Sequence, residues 1–164
     1  MFRIAIITVS DKGAAGQRED LSGPLIAEMV SAQGWQTVLR RILPDEREQV
    51  ADALRQICDS GAADLVFTTG GTGFSPRDWT PEATADVAER MVPGISEAMR
   101  YSSLKITPRA MLSRGISAIR KRTLIINLPG SPKAVRENLA YILPALGHGL
   151  EVLTGQAKEC GSKQ

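Results

Sequence analysis

One histidine, His148, occurs in the 164 residues, set between Gly147 and Gly149 with no acidic or cysteine neighbour at ligand spacing. That scarcity excludes most covalent hydrolase chemistry. Ser-His-Asp and Cys-His mechanisms need an imidazole base, and none of the serines stands in a Gly-x-Ser-x-Gly elbow. Cysteine is nearly as scarce: Cys58 and Cys160 form neither a disulfide framework nor a metal-ligand spacing, which fits a reducing cytoplasm. Charge of one sign is also missing. Twenty Lys and Arg against eighteen Asp and Glu leave a formal charge of +2, so no global basic field exists to hold nucleic acid, and none is expected as a partner. Long apolar runs are absent too. Phe2 to Val9 is far too short to span a membrane and leads into Ser10-Asp11-Lys12 rather than a small-residue cleavage site, so no membrane association is expected. The five methionines and few aromatics are scattered among apolar positions and read as core filling.

What is present is enough apolar sequence, 43%, to bury one substantial core. We read a single domain over residues 1–154 and a polar tail over 155–164. Ile4, Ile6, Ile7 and Val9 make a β-branched strand, followed by a loop from Asp11 to Asp20. Ser22 is placed to cap a helix with Pro24 in its first turn, stopped by Gly34. Thr37 to Leu43 predicts a second strand, and a helix opens at Pro44-Asp45 and ends near Gly61. Asp64 to Thr69 is a third strand running into Gly70-Gly71-Thr72-Gly73, with a helix from Thr80-Pro81-Glu82. Ile95 to Ser113 is helical but broken by Pro108; Ile116 to Ile119 and Leu124 to Leu128 form two strands joined at Lys121-Arg122. Ser131-Pro132 starts the last helix, with Val135, Leu139, Ile142, Leu146 and Leu150 on one face. The alternation predicts a three-layer α/β fold, a mostly parallel, Rossmann-like sheet with helices on both faces. In such sheets ligands bind beyond the carboxyl ends of the strands. The loops Asp11 to Asp20, Pro44-Asp45, Gly70 to Asp78 and Pro129 to Lys133 all follow strands, so they are expected to converge on one edge.

Chemistry should concentrate there. The Gly70-Gly71-Thr72-Gly73 turn allows backbone N–H groups to approach an anion, since glycine has no Cβ in the way. It is not a Walker A loop, lacking Gly-Lys-Ser/Thr, and not a dinucleotide turn, because Pro76 stands where the last glycine belongs. The bland alternative is a tight strand-to-helix turn. Asp78, beside Arg77, and Asp45 can face the same edge, and paired carboxylates suit Mg²⁺ carried in on nucleotide phosphates. The alternative is that each caps a helix. In Asn127 to Lys133 a strand end meets a Pro129-Gly130 turn, a Ser131 cap and the Lys133 cation, able to hold a second anion. A capped helix with a solvated lysine is the competing view. Arg109, Arg114, Arg120, Lys121 and Arg122 make one basic stretch, read either as a solvated face or as a patch that neutralises a phosphate-rich ligand.

Taken together, Val9-Ser10-Asp11, Asp20-Leu21-Ser22-Gly23-Pro24, Pro44-Asp45-Glu46, Thr68 to Thr84 (TTGGTGFSPRDWTPEAT), Met111 to Arg114 and Asn127 to Lys133 (NLPGSPK) resemble the MogA/MoaB family. Its members include the G domain of plant and animal molybdenum-cofactor synthesis proteins. The resemblance covers nearly the whole chain. It implies a molybdopterin adenylyltransferase that takes ATP and Mg²⁺, forms adenylylated molybdopterin and pyrophosphate, and assembles as a homotrimer, with the molybdate-insertion protein of the pathway as a further partner. It places Asp45 and Asp78 at the family's essential acidic positions, as catalytic residues and metal ligands. It places Ser10, Asp11, Asp20, Thr72, Ser103, Ser113 and Asn127 in the pterin and nucleotide site, beside Gly70, Gly71, Gly73, Pro129, Gly130, Ser131 and Lys133. Trp79 stands where the family usually has a smaller aliphatic residue, and its ring either narrows the pocket or packs on the following helix. The family also contains MoaB-type paralogues, so a pterin-binding scaffold without adenylyl transfer is the alternative. Ser75-Pro76-Arg77-Asp78 and Asn127-Leu128-Pro129 are closer to the MogA type.

Overall fold

Strand β1 (Arg3–Val9) sits between two parallel neighbours, β2 (Gln36–Leu43) and β3 (Leu65–Thr69), and β3 pairs in turn with parallel β6 (Thr123–Leu128). The computed structural model describes residues 1–156; Cys160 and most of the expected polar tail lie outside the described residues. On the far side of β6 the sheet continues through antiparallel β5 (Ser117–Arg120) and the two-residue β4 (Arg90–Met91), giving the order β2-β1-β3-β6-β5-β4. The sheet is therefore mostly parallel, with β5 alone reversed. The β5–β6 pair is a tight hairpin through Lys121 and Arg122, as their spacing predicts. The β4 edge was not legible, because Arg90–Met91 is too short to carry a period.

Alternation along the central strands sends side chains to two cores. Phe2, Ile4, Ile6, Leu65, Phe67, Leu124 and Ile126 face one layer, made of α2 (Ser22–Ser31), α5 (Pro93–Leu104) and α6 (Pro132–Thr154). Ala5, Ile7, Val66 and Ile125 face the other, where α3 (Arg47–Asp59) and α4 (Thr80–Val87) pack together. Burial on both faces is why the strands are near-continuous apolar runs. Phe67, fully buried on β3, packs with the α2, α5 and α6 layer. Phe67→Ala should cost about 3–5 kcal/mol, read as a lower urea midpoint with an unchanged slope.

Three local readings need correction. The segment after β1 is not all loop: Asp11–Ala14 forms a one-turn helix, α1, capped by Ser10, whose Oγ accepts from the Gly13 N–H at 3.0 Å. Ser22 does not cap α2. Asp20 Oδ1 accepts the Gly23 N–H at 2.9 Å, and the Ser22 hydroxyl instead donates to the Gly130 carbonyl at 2.8 Å, tying α2 to the turn after β6. Asp45 does not cap α3, which begins two residues later without a side-chain cap. By contrast Ser131 does cap α6, accepting from the Ala134 N–H. No helix among the described residues is long and apolar enough to cross a membrane. Cys58 is buried in α3, where desolvation pushes its thiol up to about 11, so it is not poised to react. His148 lies exposed on α6, about 24 Å along the helix from its start at the strand ends.

Candidate active site

Because β1, β2, β3 and β6 run the same way, their carboxyl ends deliver four turns to one edge. The Ser10 N–H donates to Leu43 O at 2.8 Å and the Thr69 hydroxyl to Pro129 O at 2.6 Å, so the turns are bonded to one another across the sheet. Two spaces open between them. The larger, about 650 Å³, is a cleft lined by Ser10, Asp20, Asp45, Gly70, Gly71, Asp78, Gly130 and Ser131 among others. The second, about 290 Å³, lies on the other side of the same turns and is lined by Thr72, Gly73, Ser103, Ser113, Asn127 and Pro129, with apolar walls from Met99 and Leu112. Gly70–Gly73 and Pro129–Ser131 thus form the partition between them. The two turns are so close that a Cβ on Gly130 would lie 3.3 Å from the Gly70 Cα.

The carboxylates of the cleft are held by backbone amides. Asp45 and Asp11 exchange bonds, with the Asp11 N–H donating to Asp45 Oδ2 at 2.7 Å and the Asp45 N–H to Asp11 Oδ1 at 2.9 Å. Arg77 grips Asp11 through Nε and Nη2 and reaches Glu46 at 2.9 Å. Arg77 and the Asp45 amide hold Asp11 below the usual aspartate range. Asp45 moves the other way: burial raises its pKa, the Asp11 N–H opposes the rise, and the charges of Asp11 and Asp78 add to it. A folded-state pKa above the unfolded one means that ionised Asp45 costs stability at neutral pH, and the cost vanishes as pH falls below the ordinary aspartate value. Asp45→Asn should therefore leave the ligand-free protein equally or slightly more stable at pH 7, by less than about 1 kcal/mol. Thermal melts at pH 7 and pH 4 check the sign: the advantage of the variant must shrink at the lower pH.

Asp78 Oδ2 accepts from the Gly73 N–H at 3.0 Å and the Ser75 N–H at 3.1 Å, closing the loop on itself. Half-buried Arg114 holds the opposite face of that loop, donating to Gly73 O at 2.8 Å and to Asp78 O at 2.6 Å, with Glu82 pairing its guanidinium. The glycine turn packs against both carboxylates: a Cβ on Gly71 would lie 3.3 Å from Asp45 Oδ1, and one on Gly73 2.9 Å from Asp78 Oδ2. Asp45 and Asp78 each commit one oxygen to backbone N–H groups and keep the other without a protein partner among the described residues. That donor set fits a hard cation that brings its own waters and phosphate ligands. Among the described residues no three His, Cys, Asp or Glu side chains converge into a closed cage.

The family described as "Probable molybdopterin binding domain" matches residues 5–148. The chain belongs to this molybdopterin-binding family. A molybdopterin adenylyltransferase of Helicobacter pylori is 42% identical over 164 residues, covering 99% of this chain and 93% of that protein. The molybdopterin adenylyltransferase of Escherichia coli K12 is 41% identical over 90% of this chain and 76% of its own length. The structure of the molybdopterin biosynthesis enzyme MoaB from Thermus thermophilus superposes with a TM-score of 0.90 at 47% identity, covering 94% and 98% of the two chains. The Rossmann-like α/β fold expected from the alternating pattern is the fold of this molybdopterin-binding family.

Within that family frame, the sequence-expected residues divide as follows. Asp45 and Asp78 meet on one cleft. Of the amides read as an anion cradle, that of Gly70 donates to Leu128 O at 3.3 Å and that of Gly73 to Asp78, leaving Gly71 and Thr72 without an amide partner among the described residues. Asn127 reaches the second cavity, but its side chain is spent inside the protein. Its Nδ2 donates to the Thr68 and Thr84 hydroxyls, both at 2.9 Å, and its Oδ1 accepts from the Ile116 N–H at 3.1 Å. Asp20 is held by the Thr8 hydroxyl at 2.8 Å. Asp11 supports Asp45, and Lys133 is exposed and lines neither space. Trp79 packs rather than narrowing either space: its Nε1–H donates to Pro76 O at 3.0 Å and its ring lies 5.6 Å from the Arg47 guanidinium. Arg114 was missed as a loop clamp. A run of basic residues says nothing about which of them will find buried carbonyls.

Proposed function

We propose that this chain transfers AMP from ATP to the phosphate of molybdopterin, as a single domain spanning residues 1–154. The observation that carries the reading is the pair of adjoining spaces, one acidic and rich in backbone amides, the other small and apolar-walled, divided only by the Gly70–Gly73 and Pro129–Ser131 turns. Such a partition suits two substrates whose reacting phosphates must meet. A phosphate oxygen of molybdopterin attacks the α-phosphorus of ATP, a new P–O bond forms, and the bridging P–O bond to the β-phosphate breaks, its electron pair leaving with pyrophosphate. The attacking oxygen is already ionised, so no histidine or serine is needed; positioning and charge neutralisation supply the rate.

The Gly71 and Thr72 amides, with the Ser131 turn, hold the polyphosphate. Asp45 and Asp78 hold Mg²⁺, which when bound neutralises charge on the phosphates and leaving group. Support for Mg²⁺ lies in the two carboxylates with one oxygen each to spare and in the raised pKa of Asp45, which a cation would relieve. A homotrimer is proposed as the working form. Tyr101, Leu104, Ile106, Met111 and Leu112 stand exposed on α5 and the following turn beside the second cavity, and a second copy would cover them. We place the protein in the cytoplasm and name the molybdate-insertion protein of the pathway as its further partner.

Purified protein incubated with molybdopterin, ATP and Mg²⁺ should release one pyrophosphate per adenylylated pterin. Tight pterin binding with no product would instead support the MoaB-like scaffold role.

A further inference from the structure

Two buried side-chain oxygens among the described residues lack a hydrogen-bond partner, Thr80 Oγ1 and Glu82 Oε2. Glu82 still pairs its other oxygen with Arg114. Thr80 has only the one hydroxyl. It opens α4, is 1% exposed, and its N–H donates to Gly71 O at 3.1 Å, so the backbone is fixed in place while the hydroxyl is left over. An unpaired buried hydroxyl works against the fold, and valine would fill the same space without that cost. A partner for it must come from a rearrangement of its surroundings.

The surroundings contain a matching acceptor. A Cβ on Gly71 would run into Thr80 Oγ1 and would lie 3.3 Å from Asp45 Oδ1, so both oxygens border the one point that this glycine leaves free of side chain. Asp45 Oδ2 is tied to the Asp11 N–H at 2.7 Å, whereas Oδ1 accepts from no donor among the described residues. An unused donor and an unused charged acceptor thus stand at the same turn, and a bond between them would be charge-assisted. A hydroxyl that donates to a metal-binding carboxylate fixes its orientation and leaves a lone pair of the same oxygen for the ion. We propose that Thr80 is a positioning residue of the acidic cleft, its hydroxyl donating to Asp45 Oδ1 when that carboxylate turns to hold a divalent cation. The inference rests on the reading of Asp45 as a cation ligand.

Calorimetric titration of ATP into wild type, Thr80→Val and Thr80→Ser, with Mn²⁺ present and with EDTA in its place, tests it. Valine keeps the shape and removes the hydroxyl; serine keeps the hydroxyl. Affinity for ATP with Mn²⁺ should fall roughly ten- to hundredfold in Thr80→Val, while affinity for metal-free ATP and for molybdopterin is unchanged. The melting temperature of ligand-free Thr80→Val should not fall, since no bond is lost. Thr80→Ser should keep the gain in affinity that Mn²⁺ confers on wild type. A merely structural hydroxyl would give the reverse pattern, a lower melting temperature for Thr80→Val with the Mn²⁺ gain intact. Should valine prevent folding, Thr80→Ala against Thr80→Ser isolates the hydroxyl, because both lack the methyl group. An equal Mn²⁺ gain with and without the hydroxyl, in either comparison, would overturn the role of Thr80 and leave the proposed reaction standing. Wild type that binds ATP no better with Mn²⁺ than without would overturn the cation reading and this inference together.

Discussion

Asp78→Asn should lower adenylyl transfer at least about a hundredfold while the protein melts within a few degrees of wild type. The two effects separate because the side chain has two jobs. One oxygen accepts from the Gly73 and Ser75 amides, a role that the asparagine carbonyl can keep, so the loop retains its shape. The charge, which lines the same cleft as Asp45, is what the substitution removes. On the proposed reading, that charge is what would hold a cation on the nucleotide phosphates. Single-turnover pyrophosphate release, with molybdopterin affinity measured in parallel, is the check. On the reading proposed above the pterin should still bind, because the second cavity, on the other side of the glycine turn, is left unchanged. Full activity in this variant would remove Asp78 from the chemistry. A collapse of stability would mean that its carboxylate is a structural bond and nothing more.

Gly70→Ala should be the most damaging change to the fold at this edge, costing about 2–5 kcal/mol and most of the activity. Gly70 has φ +95°, where an L side chain is strained, and an added Cβ would fall well inside contact distance of the Val9 carbonyl oxygen. Val9 closes the buried central strand and cannot yield without disturbing its pairing with β2. Relief must come from the turn itself, which would move the Gly71 and Thr72 amides and the wall shared with Gly130. Gly34→Ala is the internal control. Its φ is +73°, yet a Cβ there would meet nothing within 4 Å, so only the backbone term of about 1–2 kcal/mol should appear. Denaturant unfolding of the two variants side by side measures the difference. Equal costs would show that the approach to Val9 carries no weight.

The layered α/β plan, the position of most strands and the edge to which the expected site residues converge were all legible in local patterns. Apolar runs such as Ile4 to Val9 and Leu65 to Thr69, and turn signals such as Gly70-Gly71 and Pro129-Gly130, are local, and local patterns survive in one dimension. The partner of each polar side chain there is set by its neighbours in space. Asp45 in sequence is as good a helix cap as a ligand; in the fold its carboxylate takes the amide of Asp11, 34 positions away, and α3 is left without a side-chain cap. Ser22 lost its cap to Asp20, and Asn127 turned inward to Thr68 and Thr84. Arg114 left a nominal basic patch to bind the carbonyls of the loop that carries Asp78. A polar side chain satisfies whichever donor or acceptor is buried within reach. That neighbour is set by strand order and register, which bring together residues far apart along the chain.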